Sequence, residues 1–287
     1  MTIRISSNQV LETGVQAMDN SLADAMAWQQ KINTGKNYSK ASDNAYAMAR
    51  GVRLDFDTAK IKMFTQNQNF VASSMANTDT QLGSVINQMN SLKQLMVQSQ
   101  DGSLNAVNYA SLQQAAQGYL DTIKQQSTAT DGTGAPIFVR TATVNQVQIE
   151  PNVMVSTAVK FTDAFGGAGS SKTDVVQKIQ DFVDYLGKMA ASNNPGSTAQ
   201  KAVADGLDAA FNQLTVVQEG AGSIAHQVDN SMNATTSIGT QLQATSSALL
   251  DTDLAAATAA YTRSQTILSA AQAMFARISQ SNLFSKL

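Results

Sequence analysis

The stretch GGAGSSKT, residues 166–173, comes within one residue of a phosphate-binding loop. In such a loop successive backbone N–H groups wrap an anion, and a glycine directly before the lysine lets the backbone approach. Ser171 stands in that place, and no apolar strand ending in an aspartate follows to hold magnesium. The stretch reads instead as a loop entering a helix, with Ser171 or Thr173 as N-cap for the run from Asp174. His226 is the sole histidine, and nothing around it signals the sharp turn that presents a nucleophilic serine. It reads as a polar flank of a helical seam. Asp251 and Asp253 could suggest a metal pair, but i,i+2 residues diverge on a helix, so they read as charges near a helix start. There is no cysteine, hence no thiolate nucleophile, disulfide or thiolate-bound metal. Arg140, Glu150, Lys160 and Asp163 are too widely spaced to converge. The expectation is a non-enzyme without cofactor or metal.

Composition points the same way. The net charge is −2, so no basic field draws the chain to nucleic acid or anionic lipid. Arg50, Arg53, Lys60 and Lys62 alternate with Asp55 and Asp57, the pattern of a solvated helix face. Charged residues are only 14% of the chain, against a usual ~25%, and neutral polar residues and alanine replace them. Such a surface loses little on desolvation and suits packing against copies of itself. No run approaches the ~18 apolar residues of a membrane span, and the start MTIRISSNQVLETG lacks the basic and apolar regions of a cleaved secretory signal. By these signals alone the chain would be cytoplasmic.

The elements are mainly helical. Val203, Leu207, Ala210, Leu214, Val217, Ala221, Ile224, Val228, Ser231, Thr235, Ile238, Leu242, Thr245 and Leu249 follow alternating steps of four and three, the spacing of a coiled-coil seam. A helix over that range would run roughly 70 Å at 1.5 Å per residue. Gly206, Gly220, Gly222 and Gly239 weaken it, so it requires a partner. Val52, Phe56, Ala59, Met63 and Phe70 form one candidate stripe, and Leu82, Val85, Met89, Leu92 and Met96 another. The two are out of phase, which predicts a bend or stutter at 71–80. Helices near 106–126 and through Val175, Ile179, Phe182, Leu186 and Met189 complete a bundle. Between the helical halves, Asp131-Gly132 and Gly134 make a turn, and Val144, Val147, Ile149, Val153 and Val155 suggest a β-hairpin.

The ends of the chain pattern together. At Leu250 the seam slips by one residue, and Leu254, Ala257, Tyr261, Ser264, Leu268, Ala271, Phe275 and Ile278 continue it. Val15, Met18, Leu22, Ala25, Gln29 and Ile32 give a matching heptad near the start. The closing stretch SAAQAMFARISQSNLFSKL adds Met274, Leu283, Phe284 and Leu287. Two amphipathic terminal helices could pair, yet would still expose apolar outer faces that only further subunits cover.

Paired terminal helices around a β insertion resemble the bacterial flagellin superfamily. KINTGKNYSKASDNAYAMA, residues 31–49, is similar to its conserved N-terminal region, through Asn33, Thr34, Gly35, Lys36, Ser42, Asp43 and Asn44. LLDTDLAAATAAYTRSQTILSAAQAMFARISQSNLFSKL is similar to its C-terminal helix throughout. Ile3-Arg4-Ile5-Ser6, TATDGTGAPIF and FARISQSNLF each resemble the hook–filament junction branch, hook-associated protein 3, more than filament flagellin. The short insertion, and the absence of a glycine after Phe138, depart from that branch.

The resemblance implies a mainly α fold, a long coiled-coil bundle formed by the N- and C-terminal halves with a small β insertion between them. Residues 1–38 and 250–287 would form an inner layer of paired terminal helices. Residues 39–135 and 172–249 would form a helical rod, and 136–171 an outward-facing β insertion. Assembly would run through Val15, Met18, Leu22, Ile32, Leu254, Tyr261, Leu268, Phe275, Ile278, Leu283 and Phe284. The implied protein is an adaptor at the hook–filament junction, exported without a cleaved signal and located outside the cell on the flagellum. Its implied partners are copies of itself in a ring or helical tube, another hook-associated protein on the hook side, flagellin on the filament side, and an export chaperone on the C-terminal helix. Nucleic acid and membrane insertion are not expected. Filament flagellin is the alternative reading, and a secreted effector using the same export route the more distant one.

Overall fold

The computed structural model describes residues 7–141, 143–167 and 169–284. In chain order its elements are α1 (Ser7–Thr34), α2 (Ala45–Gln98), α3 (Ala106–Gln126), β1 (Phe138–Val139), β2 (Gln146–Glu150), β3 (Val153–Ser156), β4 (Val159–Lys160), α4 (Phe161–Phe165), α5 (Val175–Ala190), α6 (Gly196–Leu250) and α7 (Leu254–Phe284). They make two compact units. One comprises residues up to Lys60 together with those from Ile238 onward, and the other Ile61–Ser237. The fold is the expected one, mainly helical, with N- and C-terminal halves packed together and a small central hairpin.

In the Ile61–Ser237 unit, α2 buries Phe64, Gln68, Val71, Met75, Thr78, Leu82, Val85, Met89, Leu92 and Met96, and Ser99 just past its end is buried in phase. These positions alternate by four and three without a slip, so one face of the helix stays inward over its whole length. The stutter expected at 71–80 is absent, because the buried register runs through it unshifted and α2 is one continuous helix. The stripe assigned to its first half is also on the wrong face: Val52, Phe56, Met63 and Phe70 are 67, 70, 44 and 58% exposed. The true seam passes through Gln68 and Thr78, so counting only apolar residues loses its phase there. On α6 the expected seam holds, with Leu207, Ala210, Leu214, Ala221, Val228, Ser231 and Thr235 buried. Ile238 departs from it, at 51% exposure.

The polar seam residues are hydrogen-bonded, although Gln68 Oε1 is buried without a partner among the described residues. Gln68 Nε2 lies 2.9, 2.8 and 2.9 Å from Ser231 Oγ, Thr235 Oγ1 and the Ile149 carbonyl, and its two N–H groups are shared among these three acceptors. Asn67 donates to the Gln148 carbonyl at 2.7 Å, and Ser74 to the Thr157 carbonyl at 2.5 Å. These bonds fasten the hairpin to the helices, since an unpaired buried polar group would cost about 1–3 kcal/mol. The hairpin is the expected one, β2 antiparallel to β3 with Val147 opposite Val155 and Asn152 at φ 66° in its turn. Ile149 and Val155 pack with Val71, Met75, Ala221 and Val228. Not anticipated are the parallel pair β1–β4 and the short α4. They bring Phe165 edge-on to Phe138 and Arg140 over the ring of Phe161. The helices α3 and α5 contact each other, and their Leu120, Ile123, Ile179, Phe182 and Leu186 close the main core.

The loop resembling a phosphate cradle is engaged otherwise. Thr173 N donates to Gln213 Oε1 at 2.8 Å, while Gln213 Nε2 donates to the carbonyls of Thr173 and Ala164 at 3.0 and 3.1 Å. Gly166, at φ 70°, lies so close to the Thr173 carbonyl that a Cβ there would sit 2.1 Å from its oxygen. The N-cap of α5 is Asp174, whose side chain accepts from Gln177 N, rather than Ser171 or Thr173. Asp has the acceptor at the right reach and adds a negative charge at the helix's positive end.

Candidate assembly interface

The terminal helices α1 and α7 pack against each other. Their side chains divide into an inner seam and an outer face. On α1 the half-buried or buried positions include Gly14, Met18, Ser21, Ala25, Trp28 and Ile32. On α7 they include Ala257, Tyr261, Ser264, Leu268, Ala271 and Phe275. Small residues (Gly14, Ser21, Ala25, Ala257, Ser264, Ala271) alternate with large ones along this seam. At Gly14 an added Cβ would lie 3.8 Å from the ring of Phe275.

The seam on α7 follows the expected register from Ala257 onward, but that on α1 begins one residue earlier than expected. Met18, Ala25 and Ile32 remain in it, whereas Val15 and Leu22 turn outward at 42 and 44% exposure. Gly14, Ser21 and Trp28 take the places read as Val15, Leu22 and Gln29. The large apolar residues misdirect the phase because Gly14 and Ser21 are too small for an apolar count to mark. Leu254 is also outward, at 54%. Met26, Ile267 and Met274 are exposed as well, at 61, 51 and 62%. The backbone of α7 extends to Phe284, while the side chains of Ile278, Leu283 and Phe284 lie outside the described residues, as do Leu287 and the opening Ile3-Arg4-Ile5-Ser6.

The slip expected at Leu250 is a chain break between α6 and α7, and it lies beside the break between α1 and α2. Gly35 ends α1 at φ 66°, a left-handed conformation that costs a residue with a side chain roughly 1–2 kcal/mol. Its carbonyl accepts from Thr252 N at 2.9 Å, and Asn37 N donates to the Leu250 carbonyl at 2.7 Å. Between them Lys36 Nζ meets Asp251 Oδ1 at 2.6 Å, with Ser247 Oγ donating to the other carboxylate oxygen at 2.5 Å. The Lys36 ammonium and the Ser247 hydroxyl hold the Asp251 carboxyl below the ordinary carboxylate range. Across the same joint Gly51 admits Leu250, whose Cδ1 would be 2.9 Å from a Cβ at that position.

The remaining motif residues shape the turn into α2. Asp43 Oδ2 accepts from the amides of Lys40 and Ser39, both at 3.0 Å, which lowers its pKa. Asn44 Oδ1 accepts from Ala47 N at 3.0 Å and caps α2. Thr34 Oγ1 donates back to the Gln30 carbonyl at 2.9 Å, and Ser42 is exposed. Asp253, read as a charge near a helix start, accepts from Ala255 N and Ala256 N at the head of α7. The Lys36–Asp251 bridge was not legible beforehand, because nothing local in sequence pairs two breaks so far apart. Its nearest signal was the glycine after α1 beside a lysine, matched by the acidic pair after α6. His226 is exposed on α6, as a polar flank. Among the described residues no cluster of His, Cys, Asp and Glu could hold a metal, and no helix is long and apolar enough to cross a membrane.

Comparison with known proteins adds to this geometry. The bacterial flagellin N-terminal helical region matches residues 5–143, and the bacterial flagellin C-terminal helical region matches residues 204–287. Flagellar hook-associated protein 3 of Salmonella typhimurium is 24% identical over 177 residues, 62% of this chain and 52% of that protein. The match thus spans about half the length of that relative. Flagellin of Bacillus subtilis is 22% identical over 294 residues, covering 97% of each chain. Among solved structures, a putative flagellar hook-associated protein from Vibrio parahaemolyticus aligns with TM-score 0.63 at 16% identity, over 72% of this chain and 99% of the other.

Proposed function

The chain belongs to the bacterial flagellin family, and from that premise we propose that it is a structural, self-assembling protein of the flagellum serving as adaptor at the hook–filament junction. The observation that carries self-assembly is the α1–α7 pair, which packs along one seam while leaving Val15, Leu22, Met26, Leu254, Ile267 and Met274 exposed. Single exposed apolar residues need no explanation, but six on one helix pair support an interaction role for it. The similarity to hook-associated protein 3 supports the junction role.

In this reading the terminal helices form the inner layer, contributing Val15, Met18, Leu22, Ile32, Leu254, Tyr261, Leu268, Phe275, Ile278, Leu283 and Phe284 to contacts within and between subunits. The residues outside the terminal helices form the outer layer, and the segment 136–171 faces outward. Contacts between unlike patches of identical copies generate a ring or helical tube. One end of that assembly meets another hook-associated protein and the other meets flagellin. An export chaperone holds the C-terminal helix before assembly, and the protein acts outside the cell. The length-spanning similarity to Bacillus subtilis flagellin favours the second reading, a filament subunit.

Removal of the chain from its cell separates these readings. An adaptor's loss leaves hooks bare and releases intact filament subunits into the medium. Filaments that persist at normal length would overturn the junction role.

A further inference from the structure

The β2–β3 hairpin meets the helices through apolar side chains that do not by themselves fix its position. Ile149 and Val155 pack with Val71, Met75, Ala221 and Val228, and Val147 and Val153 lie half-buried beside them. Sliding the hairpin by two residues would keep the same face inward. Val147 would then sit in the place of Ile149, and Val155 in that of Val153. Those contacts stay apolar, so burial distinguishes the two positions only weakly.

A β-bulge tells them apart. The pairing register shifts between Gln148 and Glu150, which leaves Ile149 without a partner on β3. Successive carbonyls of a regular strand point to opposite edges, and a bulge re-aims one of them. Here the carbonyls of Gln148 and Ile149 both accept from α2. The donors are also consecutive, Asn67 Nδ2 at 2.7 Å and Gln68 Nε2 at 2.9 Å. A single further bond, from Ser74 to the Thr157 carbonyl, holds the end of β3. As a source of stability the Gln68 carboxamide is poor, since its two N–H groups serve three acceptors and its Oε1 has no partner. Thr78, also buried on α2, differs, because its hydroxyl donates to the Ser74 carbonyl of its own helix at 3.0 Å.

We propose that Asn67 and Gln68 form a clasp that reads the bulge and fixes the hairpin at one place on the helices, with Gln68 serving position rather than stability. Amide exchange and thermal melting of the unassembled full-length chain separate the two roles. Gln68→Met removes the donors but fills the space. Ser231 Oγ, 3.4 Å from the Ile149 carbonyl, remains to serve it. Gln68→Met and Asn67→Ala should each lower protection of the β2 and β3 amides roughly tenfold, the effect of one or two lost hydrogen bonds. The melting midpoint of Gln68→Met should equal or exceed that of the parent, and Thr78→Val should leave hairpin protection unchanged. Unaltered hairpin protection in either clasp variant would overturn the proposal, as would equal loss of it in Thr78→Val. A lowered midpoint in Gln68→Met, or its failure to fold, would make Gln68 a prop of the core and overturn it too.

Discussion

Lys36 and Asp251 stand 215 positions apart, and their ion pair closes the joint where two helices end and two begin. The pair is exposed, so its strength is modest and its role is to hold register between the breaks. Because Asp251 has a lowered pKa when folded, its contribution is complete above the unfolded carboxylate value of about 3.9 and is lost as pH falls through the lower folded value. Asp251→Asn should therefore reduce amide-exchange protection at Asn37 and Thr252 near neutral pH. The gap between variant and parent should narrow below about pH 4. A gap unchanged in acid would show that the carboxylate is not its source. Gly35 makes a separate demand, since its carbonyl accepts from Thr252 only with the backbone held at φ 66°. Gly35→Ala should destabilise the unit containing the termini by roughly 1 kcal/mol, read as a lower melting midpoint, whereas Gly118→Ala within α3 should be neutral or stabilising.

At the scale of the element, α2 shows how a helix seam conceals itself. Its inward face carries Gln68 and Thr78 among Phe64, Val71, Met75 and Leu82, and its outward face carries Val52, Phe56, Met63 and Phe70. Hydrophobicity alone picks the outward stripe. What reverses the choice is tertiary: Gln68 is buried because Ile149, Ser231 and Thr235 give it acceptors, and no local pattern announces them. Where the seam is uniformly apolar, at Leu82 to Met96 and Leu207 to Val228, periodicity alone located it. On α1 Met18, Ala25 and Ile32 lie in the expected seam, while Gly14, Ser21 and Trp28 replace Val15, Leu22 and Gln29, two of them too small for an apolar count to mark. Equilibrium unfolding distinguishes the two α2 faces. Met75→Ala should cost about 2–5 kcal/mol, since it empties a fully buried site. Phe70→Ala, outside the seam, should change stability by no more than about 0.5 kcal/mol. Equal losses at both positions would contradict the seam described here.

For the whole molecule, the division into two units separates folding from assembly. The Ile61–Ser237 unit has its own core and its own hydrogen-bonded hairpin. The other unit leaves apolar residues of α1 and α7 exposed among the described residues. Truncation after Asp253 should leave the melting of the Ile61–Ser237 unit within a few degrees of the parent and abolish assembly. A truncated chain that still assembles would place the driving contacts elsewhere. The paired termini and central hairpin were legible from spacing and motif, whereas the joint between the two breaks required the folded chain. The junction role is tested most directly by gold-labelled antibody against this chain on intact flagella. A single band at the distal end of the hook is the predicted result, and label along the whole filament would make the chain a filament subunit instead.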